Sequence, residues 1–199
     1  YSVSSYEDTL LVADPQFIPV GATDTTSTGR VVVFKTPGET SLNFDSTIEP
    51  TTRVANEAFG FRTALSGNVA VIAKLNESNK KGAVEVYQRE NASQKFTKYA
   101  DLVPSDSLAD DDYYGFGLAI DSGTIVVGRP GATNTGSGAG AAYVFTLVDG
   151  TWTQTQKITP TTEGFSLVGF RGTISLNGKN LLLGAGTAKL NSAATDTGV

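Results

Sequence analysis

The sequence predicts an all-β protein made of repeated four-stranded antiparallel sheets, and three observations lead to this prediction. Landmark residues recur in the same order about every 55 residues along the 199-residue chain. Between them lie short runs with strand-like alternation, rich in β-branched and aromatic residues and separated by Gly, Ser, Asn and Asp turns. No 11-residue window has a convincing helical period. We therefore expect almost no helix.

The landmarks are aromatic, apolar and proline positions that recur together. An aromatic residue heads each of three equivalent segments, at Phe59, Tyr114 and Phe170. A proline closes the preceding unit at Pro50, Pro104 and Pro160, 54 and 56 residues apart. A large apolar residue precedes each proline by eight positions, at Leu42, Phe96 and Trp152. We expect all six aromatic and apolar landmark residues to be buried between sheets, where truncation to Ala would be costly.

Four antiparallel strands repeated every 40–60 residues are the sequence signature of β-propeller blades. We expect a single propeller segment over residues 1–199, with blades over about 1–55, 56–110 and 111–166 and a partial blade over 167–199. About three and a half blades are then present. We expect the partners to be protein, either further blades of the same parent chain or a docked chain.

Composition removes several functional classes. Cys, His and Met are absent, so the chain offers no thiolate, imidazole or N/S zinc ligands, and we expect no enzyme and no catalytic residues. Acidic residues outnumber basic ones by 20 to 15, which argues against nucleic-acid binding. No apolar run reaches about 18 residues, so we expect no membrane span in this segment.

The units resemble FG-GAP repeats, the blade type of integrin α-subunit propellers, and most closely their calcium-free variant. The fullest match comprises Tyr114-Gly115, residues 127–130, residues 138–145 and residues 152–160. Arg171 departs from the pattern, which has Gly there. The resemblance implies a non-enzymatic structural or interaction module of an extracellular or cell-surface assembly, in cell adhesion or as a protein scaffold. The alternative is a carbohydrate-binding propeller with glycan partners, although Trp152 occupies a core position.

Calcium binding is a separate question. The calcium-binding variant carries an acidic loop between the first two strands, whereas the equivalent loops here, at residues 66–68, 121–123 and 177–179, hold at most one acid each. We therefore expect no cofactor. Asp110, Asp111 and Asp112 are weak calcium candidates on a loop, and the competing interpretation is a solvated acidic loop.

Two sequons, at Asn76 and Asn91, are candidate glycosylation sites. Both fall in loops of one predicted blade. They favour a secreted glycoprotein.

Overall fold

The computed structural model describes residues 2–20, 27–36, 41–132, 140–159, 165–168 and 174–188. Three complete four-stranded sheets follow one another along the chain. The first sheet contains β1 (Val3–Tyr6), β2 (Thr9–Asp14), β3 (Arg30–Lys35) and β4 (Asn43–Ile48). The second contains β5 (Phe59–Ser66), β6 (Val69–Lys74), β7 (Ala83–Gln88) and β8 (Thr97–Asp101). The third contains β9 (Gly117–Asp121), β10 (Thr124–Arg129), β11 (Ala141–Val148) and β12 (Thr151–Ile158).

Four further strands complete the described part of the chain. A strand β13 (Phe165–Val168) pairs with β16 (Ala185–Ala188), and β14 (Ile174–Asn177) pairs with β15 (Asn180–Leu183). A single short turn of helix, α1 (Glu77–Lys80), lies between β6 and β7, and positive φ values at Ser78 and Asn79 interrupt it. No helix in the described ranges has the length and hydropathy needed to cross a membrane.

Every complete sheet has the same topology and the same irregularity. Neighbouring strands are consecutive in sequence and antiparallel. The register shifts once between the third and fourth strands, after Val33, Val86 and Val144, which are equivalent in the repeat. Since a bulge re-aims the side chains beyond it, the shared position shows that the repeat extends to local distortions of the backbone.

The sheets stack face to face because inner strands such as β6 and β10 carry apolar side chains on both faces. In β6, Ala70 and Ile72 pack towards the first sheet, whereas Val71 and Ala73 pack towards the third. The first strands of neighbouring sheets also contact each other, β1 with β5, β5 with β9, and β9 with β14. The hydroxyl of Ser4 donates to that of Thr63 (3.1 Å) across the first of these contacts. First strands that adjoin while the sheets fan outwards are the arrangement of propeller blades.

Burial confirms four of the six predicted landmark positions. Phe59 and Phe96 lie in the core between the first and second sheets, and Tyr114 and Trp152 lie between the second and third. Phe170 lies outside the described residues.

The prediction for Leu42 is wrong, because its side chain is 57% exposed. Phe96 and Trp152, its equivalents, each pack against the preceding sheet. Leu42 belongs to the first sheet, and the described residues place no sheet against that side.

Candidate functional site

Buried charges lie between the second and third sheets, at the end of β10. Arg129 is almost fully buried and forms ion pairs with Asp112 (2.5 Å) and Asp106 (2.9 Å). The Asp106 carboxylate also accepts hydrogen bonds from the Tyr143 hydroxyl (2.9 Å) and the Lys157 ammonium (2.9 Å). Burial alone would raise the pKa of Asp106, but these hydrogen bonds and the nearby positive charges lower it below its usual value. Burial, with the Asp106 hydrogen bond, raises the pKa of Tyr143 to about 12.

An equivalent cluster lies between the first and second sheets. Lys74 forms ion pairs with Glu57 (3.3 Å) and Glu85 (3.2 Å), and Glu85 also accepts hydrogen bonds from Tyr87 (2.7 Å) and Lys98 (3.0 Å). Desolvation would raise the pKa of Glu85, but these hydrogen bonds and the charges of Lys74 and Lys98 lower it. Asp106 and Glu85 are each held by two cations and a tyrosine hydroxyl group, so the clusters neutralise buried charge.

Each cluster contains an ion pair at the same position of the repeat, and the sequence analysis did not predict it. Glu57 and Asp112 each stand two residues before the buried aromatic landmark, and Lys74 and Arg129 each end the second strand. The signal was present in the sequence as an acid and a base at fixed offsets from Phe59 and Tyr114. It was hidden because Glu is replaced by Asp and Lys by Arg between the repeats.

The three acids proposed as weak calcium ligands do not converge. Asp110 pairs with Lys81 (3.7 Å) and Asp111 with Lys80 (3.2 Å) at the surface. Asp112 points inwards and is only 3% exposed, so the interpretation as a solvated loop is wrong for this residue. In the described part of the chain, no group of three or more acidic side chains is placed to hold a metal ion.

Both sequon asparagines lie at the surface. Asn91 lies in the turn between β7 and β8, where its side-chain oxygen accepts a hydrogen bond from the Ser93 amide (3.0 Å). Asn76 follows β6, and its backbone amide donates to the Glu57 carbonyl (3.1 Å). Both side chains are therefore accessible to a modifying enzyme.

An exposed apolar surface lies on the first sheet, on the side away from the second. We call it the outer face. Its exposed members are Val3 (64%), Leu42 (57%) and Phe44 (66%). Half-buried apolar side chains fill the space between them, at Leu10, Val12, Val32 and Phe34.

Strand register makes this a continuous surface. Val3 is opposite Val12, which is opposite Val32, so the three form one row across the sheet. Leu10, Phe34 and Phe44 form a second row. Contiguous exposed apolar surface of this kind marks an interaction site.

The stacked four-stranded antiparallel sheets are blades of the β-propeller class, and the described residues contain three complete ones. The sequence model of the FG-GAP repeat matches residues 96–145, from just before β8 into β11. This segment is therefore an FG-GAP repeat, as its resemblance predicted. No curated protein matches the chain.

Proposed function

We propose that this chain is a non-enzymatic interaction module of an extracellular or cell-surface assembly, and that its outer face is covered by a further blade of the same parent protein. The observation that carries the proposal is the exposed apolar outer face of the first sheet. In the second and third sheets the equivalent side is covered by the preceding sheet. FG-GAP repeats are typical of extracellular interaction domains, and the two surface sequons agree with secretion.

The repeat supplies the chemistry of the covering surface. On the second sheet, Ile72, Tyr87 and Phe96 are equivalent to Val12, Phe34 and Leu42 of the outer face. The first sheet covers those residues with a smooth aliphatic surface, which comprises Leu11, Ala13, Val31, Val33 and Ile48. The outer face has the same combination of aliphatic and aromatic side chains, so it fits the aliphatic side of another four-stranded blade.

Self-association of residues 1–199 in solution tests this proposal. Since an uncovered apolar face of this size favours association, we expect the chain to form oligomers or aggregates in size-exclusion chromatography with light scattering. The double variant Leu42→Gln/Phe44→Gln should shift the population towards monomer. Val103→Gln/Val148→Gln is the matched control, because both residues are exposed but neither belongs to the outer face. A monodisperse monomer for the unmodified chain, or equal effects of the two double variants, would contradict the proposal.

A further inference from the structure

A cavity of about 380 Å³ lies between the first and second sheets, at the end where β2 and β6 finish and β5 begins. Gln16 and Ser27 line it from the first sheet's side. Ala58 and Phe61 line it from the segment that leads into and begins β5. The cavity includes no residue of the outer face, so it is independent of the blade-docking proposal.

The equivalent space between the second and third sheets is filled by Tyr113. Its ring packs edge-on against Phe116, with ring centroids 6.1 Å apart, and its hydroxyl donates to Asp111 (3.2 Å). Lys80 closes this arrangement through its ion pair with Asp111 (3.2 Å). An aromatic ring with one hydroxyl group therefore occupies this position in one repeat.

The cavity exists because three of these residues change in the preceding repeat. Ala58 stands where the next repeat has Tyr113, Asn56 where it has Asp111, and Ser27 where it has Lys80. Phe61 is kept as the equivalent of Phe116. Ala58 also keeps the positive φ of Tyr113 (57° and 54°), so the chain turns in the same way at this residue while the ring is absent. The vacated space is that of a six-membered ring with a polar substituent.

The lining selects a neutral, hydroxyl-rich ligand. None of the described side chains that line the cavity is charged, so an anion or a cation would have no opposite charge there. The side chains of Gln16, Asn56 and Asn76 are carboxamides, each of which carries both donors and acceptors, and Ser27 adds a hydroxyl. Phe61 is half-buried, with the Arg62 guanidinium over its ring (4.6 Å from the centroid) and the Phe116 ring 5.1 Å away, and the rest of its ring gives the cavity an apolar wall. A few polar groups around an apolar wall are the usual composition of a small-molecule site.

We propose that this cavity binds a pyranose ring of a saccharide, with the C–H surface of the sugar near Phe61 and its hydroxyl groups bonded to the carboxamides. A tyrosine side chain from a protein partner would fill the ring position, but it carries a single hydroxyl group, whereas a sugar presents several to the carboxamides. The volume is at the lower end of the range for ligand pockets, about 300–1,000 Å³, which suits one or two sugar units.

The sugar can come from two sources, since Asn76 lines the cavity and heads a sequon. One is a free or partner-borne saccharide, and the other is the protein's own glycan attached to Asn76. The chemistry is the same in both cases, and glycan-free and glycosylated protein separate them.

The experiment screens glycan-free chain from a bacterial host on a glycan array, then measures the best saccharide by isothermal titration calorimetry. The test variant is Ala58→Tyr, which restores the ring found at Tyr113 on a backbone that already accepts it. We expect it to weaken binding at least tenfold without lowering Tm. Ala92→Tyr, in the exposed β7–β8 turn, is the matched control and should bind like the unmodified chain. Leu42→Gln/Phe44→Gln should also leave binding unchanged, so failure here is distinguishable from failure of the blade-docking proposal.

The second arm uses chain secreted from a eukaryotic host. If the Asn76 glycan fills the cavity, the bond between its first two sugars should resist endoglycosidase in the folded protein and become at least tenfold more sensitive in Ala58→Tyr. Ser78→Ala removes this sequon while it leaves the Asn76 side chain in place, and it should abolish that protected glycan. The proposal is overturned if glycan-free chain binds no saccharide and no protected glycan is found at Asn76. It is equally overturned if Ala58→Tyr binds or protects as well as the unmodified chain.

Discussion

Gly82 lies directly against the backbone of Tyr114, which links the second sheet to the third. Gly82 precedes β7, and a β-carbon at this position would come within 2.1 Å of the Tyr114 carbonyl oxygen. The same relationship joins the first two sheets, where a β-carbon at Gly29 would lie 2.2 Å from the Phe59 carbonyl oxygen. In the first two sheets, the glycine before the third strand thus lets the aromatic segment of the next blade approach at backbone distance.

Substitution of this glycine should loosen the contact between sheets. We expect Gly82→Ala to destabilise the protein, because the added methyl group overlaps backbone atoms of Tyr114 and the residue also has a positive φ of 81°. Positive φ at a non-glycine residue costs about 1–3 kcal/mol. Overpacking adds about 1–3 kcal/mol more. The measurement is the free energy of unfolding from denaturant titration.

Gly123→Ala is the matched control for this prediction. Gly123 has nearly the same φ (78°), but no atom lies within 4 Å of the position of its added β-carbon. It therefore reports the backbone strain alone. Equal losses of stability in the two variants would show that the close approach at Tyr114 contributes nothing.

Truncation of the aromatic landmarks should separate buried from exposed positions. We expect Phe59→Ala to cost about 3–5 kcal/mol, the usual range for a buried aromatic residue. Leu42→Ala should change the free energy of unfolding by less than about 0.5 kcal/mol, because this side chain is mostly exposed. Thermal and denaturant unfolding of both variants checks the contrast. A variant Phe59→Ala that melts with the unmodified chain would contradict the packing described for this residue.

The repeat made much of the fold predictable from sequence. Phe59, Tyr114, Phe96 and Trp152 recur at a period that only stacked, equivalent sheets explain, and their burial follows from it. Leu42 shows where the argument ends. Its sequence position is equivalent to those of Phe96 and Trp152, but those residues are buried by a neighbouring sheet. The repeat pattern predicts where a side chain lies in its own sheet, and it does not predict whether another sheet packs against it.

The burial of the acidic side chains was less predictable, because it depends on the backbone conformation of one or two neighbouring residues. Asp110, Asp111 and Asp112 are alike in sequence, yet only Asp112 is buried. Positive φ values at Asp111 (60°) and Tyr113 (54°) turn the chain on each side of Asp112 and direct its side chain towards Arg129. Local sequence does not reveal such a reversal at non-glycine residues, which rarely adopt positive φ.

Removal of one partner from a buried ion pair should be strongly destabilising. We expect Asp112→Ala to cost about 3–5 kcal/mol, because it leaves the buried Arg129 guanidinium with one carboxylate fewer. The pair between Asp110 and Lys81 is exposed, so Asp110→Ala should cost about 0–1 kcal/mol and serves as the control. Denaturant unfolding in low salt measures both. If the two variants lose equal stability, burial of the Asp112–Arg129 pair has no energetic consequence.

Acid should weaken the contacts between sheets. The pKa values of Asp106 and Glu85 are both lower in the folded protein than the ordinary values of 3.8 and 4.5. A carboxyl group with a lowered folded pKa stabilises the fold above its unfolded pKa, and that contribution is lost as the pH falls through the folded value. We therefore expect Tm to be steady from pH 7 to about pH 5 and to fall below about pH 4.

Asp106→Asn tests which group is responsible. At pH 7 the variant lacks the charge that pairs with Arg129 and Lys157, so its Tm should lie below that of the unmodified chain. As the pH falls through the lowered folded pKa of Asp106, its carboxylate in the unmodified chain becomes protonated and loses the same charge. The difference in Tm between the two proteins should therefore shrink as the pH is lowered from 5 to 2. A difference that stays constant over this range would show that the Asp106 carboxylate does not contribute through its charge.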